Sequence, residues 1–253
     1  MLKIACVPYL NAKPLIASLD SKEFELFYQP PAQLEKILMQ EKADLALLPI
    51  LNYFENSRLK LVPGLCIGCR GTVESVKLFS SKPIQEVRHI YLDVESRTSQ
   101  NLLKVILKEK YGRDLEGICF YGSLEERELI EAYLLIGDKA MIDPPQTSYE
   151  YDLGAEWTEW QKLPFVFAAW MSTRNLETTI AQVLQKALNK SFKYIDLLLN
   201  DFENGLGRER LRHYFTSSIH YIMGEEELRG ITRFFELLKP IQGYTHELHF
   251  RFV

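Results

Sequence analysis

The sequence predicts an α/β fold: a two-lobed clamshell of mostly parallel sheets covered by helices, with a ligand cleft between the lobes. Three observations carry this. Strand and helix signals alternate over the first 56 residues and again after Pro83, the rhythm of parallel strands joined by helical crossovers. A Val-, Leu- and Ile-rich run from Lys60 to Ser80, broken by Pro63, Gly64, Gly68 and Gly71, carries the chain far without a helix, as a crossing between lobes would. A second buried strand, Pro164 to Met171, brings it back. The expected division is 1–79 with 172–253 as the first lobe and 80–171 as the second.

In order, the pattern predicts a strand at 3–7, a helix at 14–19, a short strand near 24–28, a helix at 31–41, a strand at 44–48 and a helical turn at 50–56. Pro31 opens the second helix, where Leu34, Ile37 and Leu38 recur at helical spacing and give one apolar stripe. Beyond Pro83 follow a strand at 86–93, a helix at 97–110, a strand at 117–121, a helix at 124–132, a strand at 133–136 and a short amphipathic stretch with Trp157 and Trp160. From Asn175 the pattern is helical almost to the end: a long helix over about 175–202 and another starting at Gly224-Glu225-Glu226.

Composition narrows the function. The 253 residues are 47% hydrophobic, enough for an ample core. The 30 Lys and Arg against 34 Asp and Glu, with no basic run, give no nucleic-acid groove. No apolar stretch reaches the length of a membrane span, and the N-terminus enters a core strand without the features of a secretory signal. A cytoplasmic protein acting on a small molecule is expected. Cys6, Cys66, Cys69 and Cys119 sit mostly in apolar runs and suit reduced thiols. Cys66 and Cys69 have metal-pair spacing, but no second pair or nearby His completes a set, so no metal is expected. Dinucleotide, phosphate-loop, zinc-protease and serine-elbow motifs are all missing.

Three segments remain that can carry chemistry. The first strand runs into Pro8-Tyr9-Leu10-Asn11-Ala12-Lys13-Pro14, a rigid polar corner at a carboxyl end of a sheet, where ligands settle in open α/β folds. Asn11 as a helix cap ahead of Pro14 is the plainer reading; it leaves Tyr9 and Lys13 without a role. Asp93-Val94-Glu95-Ser96-Arg97-Thr98-Ser99 lies between an apolar strand and a helix. Backbone N–H groups, hydroxyls and a guanidinium there make an anion cradle, or merely a Ser96 cap with Arg97 in solvent. Gly71-Thr72-Val73-Glu74-Ser75-Val76 occupies the crossing, where Thr72 or Ser75 can supply a hydroxyl to the cleft; Glu74 alternates with Ser75, so at most one of the two faces it. Asp138, ending another strand, is a structural cap or a rim residue of the cleft, with the cap the preferred reading.

These segments, with Leu134-Leu135-Ile136-Gly137-Asp138, Asp152-Leu153-Gly154-Ala155-Glu156-Trp157 and Leu163-Pro164-Phe165-Val166-Phe167-Ala168-Ala169-Trp170, resemble in order the hallmark motifs of the chorismate dehydratases of the futalosine route to menaquinone. The likeness spans about residues 4–172. It implies a fold similar to type 2 periplasmic binding proteins, used in the cytoplasm, and a cofactor-free lyase that removes water from chorismate to give 3-[(1-carboxyvinyl)oxy]benzoate. It places Asn11 and Ser75 nearest the reacting ring, with Ser96, Arg97, Thr98 and Ser99 on a carboxylate and Tyr9 and Thr72 among the substrate-binding groups. Thr72 stands where the family usually has Pro, and Lys162 where it commonly has Gly. Chorismate is a dicarboxylate, which suits an anion cradle facing a polar corner. Two other readings share the fold: a binding protein for an aromatic or enolpyruvyl carboxylate, and the sister 1,4-dihydroxy-6-naphthoate synthase, against which the Tyr9-Leu10-Asn11 corner argues.

Overall fold

The computed structural model describes residues 1–125, 127–177, 179–200 and 205–253. The chain runs β1 (Leu2–Cys6), α1 (Lys13–Ile16), β2 (Phe24–Tyr28), α2 (Pro31–Met39), β3 (Leu45–Pro49), α3 (Ile50–Glu55) and β4 (Lys60–Cys69). Then come β5 (Val76–Ser80), β6 (His89–Leu92), α4 (Arg97–Val105), β7 (Cys119–Tyr121), β8 (Ala132–Ile136), α5 (Asp138–Met141), β9 (Tyr149–Asp152) and α6 (Leu153–Gln161). The last stretch holds β10 (Phe165–Ser172), α7 (Ile180–Lys193), α8 (Ile195–Asn200), α9 (Arg208–His213), β11 (His220–Met223) and α10 (Glu225–Gln242).

These strands form a six-stranded sheet in the order β11-β4-β10-β3-β1-β2 and a five-stranded sheet in the order β7-β6-β8-β5-β9. Both are mixed, which corrects the expectation of mostly parallel sheets. β1 is parallel to β2 and β3, and β6 to β7 and β8, whereas β10 runs antiparallel to β3 and β4, and β5 to β8 and β9. A strand returning from the other lobe enters its sheet reversed, and a buried apolar run looks alike whichever way its neighbours point. β5 belongs wholly to the second sheet and β10 wholly to the first, so sheet membership changes at 70–75 and between Asp152 and Phe165 rather than at 79/80 and 171/172.

Three helical expectations change as well. The helix expected at 124–132 is a 3-10 turn at Arg127–Leu129 followed by β8, with Glu126 outside the described residues. The helix over 175–202 is split at Tyr194 into α7 and α8, and Thr178 and 201–204 lie outside the described residues. β11 interrupts the helical tail and adds an edge to the first sheet, while residues beyond α10 run back to Leu61, whose N–H donates to the Arg251 carbonyl at 2.7 Å.

α10 joins the two layers. It packs on β10 and on α4, and its buried Phe234 lies 4.9 Å from the Phe165 ring and 6.0 Å from that of Trp157. Burying a side chain of this size contributes roughly 1.5–3 kcal/mol, so one helix face holds strand and crossover together. Gly230 permits the approach: a Cβ there would stand 2.2 Å from the Pro164 carbonyl oxygen.

Candidate functional site

Beyond β1 the chain turns through a short 3-10 turn, Leu10–Ala12, into α1. Ala12, not Asn11, occupies the N-cap of α1, and no side chain caps it. Asn11 is therefore free of the capping role. Its Oδ1 is buried with no hydrogen-bond partner among the described residues, and its carbonyl accepts from the Tyr221 hydroxyl at 3.0 Å. Buried polar atoms are rarely left unpaired, so an orphaned acceptor marks a place for a ligand's donor. Tyr9 points toward the second sheet, where the Glu95 carboxylate lies close to its hydroxyl. Burial first, then the Glu95, Asp93 and Asp138 carboxylates, hold this phenol well above its ordinary pKa and keep it neutral.

The crossing is shaped by Asp152, the N-cap of α6. Its carboxylate accepts from the N–H groups of Ala155 at 3.0 Å, Val73 at 3.0 Å and Glu74 at 2.7 Å. The loop so gathered puts Glu74 at φ 63°, a left-handed conformation rare for a residue with a Cβ. Glu74 then points outward, with Ser218, and with Arg210 and His213 each 3.7 Å away. Ser75 turns into the cleft; it is 1% exposed and accepts a hydrogen bond from the Tyr214 hydroxyl at 2.8 Å.

At the third segment Ser96 caps α4, its Oγ accepting from the Ser99 N–H at 3.3 Å and lying 2.8 Å from Ser99 Oγ. Both serines face the cleft at a helix N-terminus, where backbone N–H groups and the dipole favour an anion. Arg97 and Thr98 do not line the cleft. The Arg97 guanidinium pairs with Glu55 at 2.7 Å, and Thr98 is buried with its Oγ1 unpartnered among the described residues. At 3.6 residues per turn, placing positions 96 and 99 toward the cleft turns the two between them elsewhere. Thr72 also differs from expectation: it is exposed, in grooves on the outer side of the crossing, because the turn at Glu74 separates it from Ser75.

Asp138 faces the corner across the lobes. Burial raises its pKa above the ordinary carboxylate value, with the nearby Leu10 backbone and Lys13 offsetting part of the shift, and its Oδ1 has no partner among the described residues. Lys139 beside it reaches Asp93 and Glu95, each at 3.1 Å.

Several of these groups border one cleft whose walls are otherwise largely apolar, with Leu47, Ile67, Phe167 and Ile219 among them. Tyr9, Asn11, Ser75, Ser96 and Ser99 meet there; Thr72, Arg97 and Thr98 do not. Glu95 and Ile219 line it too, and Tyr214 backs it, though the sequence reading assigned none of them a role. Glu95 sits inside the anion-cradle segment, where a carboxylate has no obvious use, and the segment holding Tyr214 and Ile219 carries no motif, so only the fold brings it behind Ser75. Cys66 and Cys69 are buried, and burial pushes the Cys69 thiol up to about 12, so it stays protonated. Among the described residues no cluster of His, Cys, Asp and Glu is arranged to hold a metal.

Residues 2–240 match the profile of a menaquinone biosynthesis family. The chain belongs to that family. This menaquinone biosynthesis protein is 28% identical over 260 residues to the chorismate dehydratase of Thermus thermophilus, covering 91% of this chain and 92% of the relative. Its fold is that of protein AF1704 from Archaeoglobus fulgidus (TM-score 0.67, 16% identity, 96% of this chain and 97% of that one). It is equally that of the periplasmic aliphatic sulphonate-binding protein of Escherichia coli (TM-score 0.67, 13% identity, 98% and 89% covered). The family member thus has a periplasmic-binding-protein fold, and among its described residues no helix is long and apolar enough to cross a membrane.

Proposed function

We propose that the protein is a chorismate dehydratase of menaquinone biosynthesis, a cytoplasmic carbon–oxygen lyase working without a cofactor. The observation that carries the reading is the meeting, in one largely apolar cleft, of the orphaned Asn11 Oδ1, Ser75, and the paired Ser96 and Ser99 at the start of α4. The apolar walls suit a six-membered ring, and the helix N-terminus suits one of its carboxylates. Likeness to a curated enzyme of that name over nine-tenths of the chain supports the same substrate.

In the proposed reaction the ring carbon bearing the enolpyruvyl ether loses its proton. That electron pair forms the third ring double bond, and the neighbouring C–O bond breaks, so hydroxyl and proton depart as water. The carbon skeleton is neither oxidised nor reduced by an outside agent, and aromatisation supplies the driving force. The protein's part is to orient the substrate and to hydrogen-bond charge as it develops, the tasks of Asn11 and Ser75. Ser96 and Ser99 take the roles the cradle needs, with Tyr9 closing the opposite side through Glu95. The division into two lobes, meeting at 70–75 and again before β10, belongs to the same proposal, since the cleft lies between them.

Incubation with chorismate, following loss of its diene absorbance and identifying the product by mass, tests the reading. A product lighter by one water with an aromatic spectrum is expected. Tight binding with no turnover would instead make this a carboxylate-binding protein.

A further inference from the structure

We infer that Tyr214 is a positioning residue for Ser75: its buried hydroxyl donates to Ser75 Oγ and so leaves the serine's own proton to be offered into the cleft. The inference rests on the reading of the cleft given above. Tyr214 opens a single π-helical turn, Tyr214–Ser218, and stands 139 residues beyond Ser75 in the chain. Both hydroxyls are buried, 2.8 Å apart.

The direction of the hydrogen bond follows from proton supply. A neutral phenol has one proton to give, and burial, foremost among its surroundings, holds Tyr214 well above its ordinary pKa, so the proton stays on across the working range. Among the described residues the acceptor within reach of it is Ser75 Oγ. With one of its two lone pairs taken, Ser75 Oγ is a weaker acceptor than a free hydroxyl. Its own hydrogen finds the Val73 carbonyl at 3.5 Å, beyond the 2.5–3.0 Å of a sound O–H···O bond. The better direction is the cleft, and a donated bond polarises the serine further toward donating. Ser75 is therefore set as a donor to an oxygen of the substrate. Tyr214 itself touches no substrate, makes no bond and transfers no proton.

The test compares four proteins on chorismate: wild type, Tyr214→Phe, Ser75→Ala and the double variant. Tyr214→Phe is expected to lower kcat by about 10–100-fold, the scale of losing alignment at a reacting centre, with KM changed less than about threefold. In the Ser75→Ala background the same change should do nothing further, since the group it aligns is gone. Should Tyr214→Phe fail to fold, p-aminophenylalanine and p-methylphenylalanine at position 214 separate donor from shape; only the first should keep kcat. An unchanged kcat in Tyr214→Phe, additive losses in the double variant, or equal activity of the two analogues overturns the inference while the function stands. A wild type that leaves chorismate untouched overturns both.

Discussion

Asn11 and Ser75 line the cleft with polar atoms that the protein itself leaves underused. Asn11 Oδ1 has no partner among the described residues, and Ser75 has a hydrogen without a close acceptor. In the proposed reaction, groups so placed would act where charge develops. Asn11→Ala and Ser75→Ala should each lower kcat by about 10²-fold or more while KM moves little, as steady-state kinetics on chorismate will show. Full turnover in both would move the site elsewhere in the cleft. Arg97 carries the opposite expectation. Its guanidinium is 54% exposed and tied to Glu55, and such pairs contribute about 0–1 kcal/mol, so Arg97→Ala should change KM less than about fivefold. A rise beyond tenfold would mean that Arg97 leaves Glu55 for the substrate.

At the level of elements, two joints hold the frame of the site. Gly230 on α10 lies against Pro164, and Gly230→Ala should destabilise the protein by about 1–3 kcal/mol, because a backbone oxygen cannot step aside for the new methyl group. An unshifted denaturation midpoint would show that α10 can back away. In the second sheet, Glu131 accepts from the N–H groups of Arg88 at 2.7 Å and His89 at 3.3 Å and pairs with Lys82. Burial pushes its pKa up, but Lys82 and these N–H groups outweigh it and the net shift is below the ordinary 4.5. A carboxyl lowered on folding stabilises above its unfolded pKa, and that contribution is lost as pH falls through the folded value. Glu131→Gln should therefore cost about 1–2 kcal/mol at pH 7, and the gap to wild type should narrow in unfolding curves taken below pH 4. A gap independent of pH would refute the assignment.

On the scale of the whole molecule, the Glu55–Arg97 ion pair bridges the sheets beside the cleft, and the Glu95 and Asp138 carboxylates stand near enough to Tyr9 to act on its hydroxyl. In the proposed clamshell these belong to the closed form, and opening would break the pair and part the carboxylates from Tyr9. Small-angle scattering of the unliganded protein should give a radius of gyration above that of this structure, falling to it with saturating chorismate. Equal radii would mean a preclosed cleft. α10 bears on this motion, since it packs on β10 and on α4, and Gln242 bonds Asn101. Opening at 70–75 and before β10 would therefore turn against this third connection.

The sequence by itself determined the two-lobed plan, the polar corner at Tyr9 and Asn11, Ser75 at the crossing, and the serine cap of α4. Each of these is written locally: alternating periodicity for the elements, Pro8 and Pro14 around the corner, Ser96 ahead of an apolar helix. Tertiary structure alone decided strand direction, the outward turn of Thr72, Arg97 and Glu74, and the placing of Tyr214 and Tyr221 behind the site. Direction is invisible in a buried apolar run, because both faces are covered whichever way the neighbouring strands point. Facing depends on a helix rotation fixed by packing, and on the backbone at Glu74 that Asp152 holds from 78 residues away. The two tyrosines lie 139 and 210 residues from the groups they bond, a separation that only folding closes.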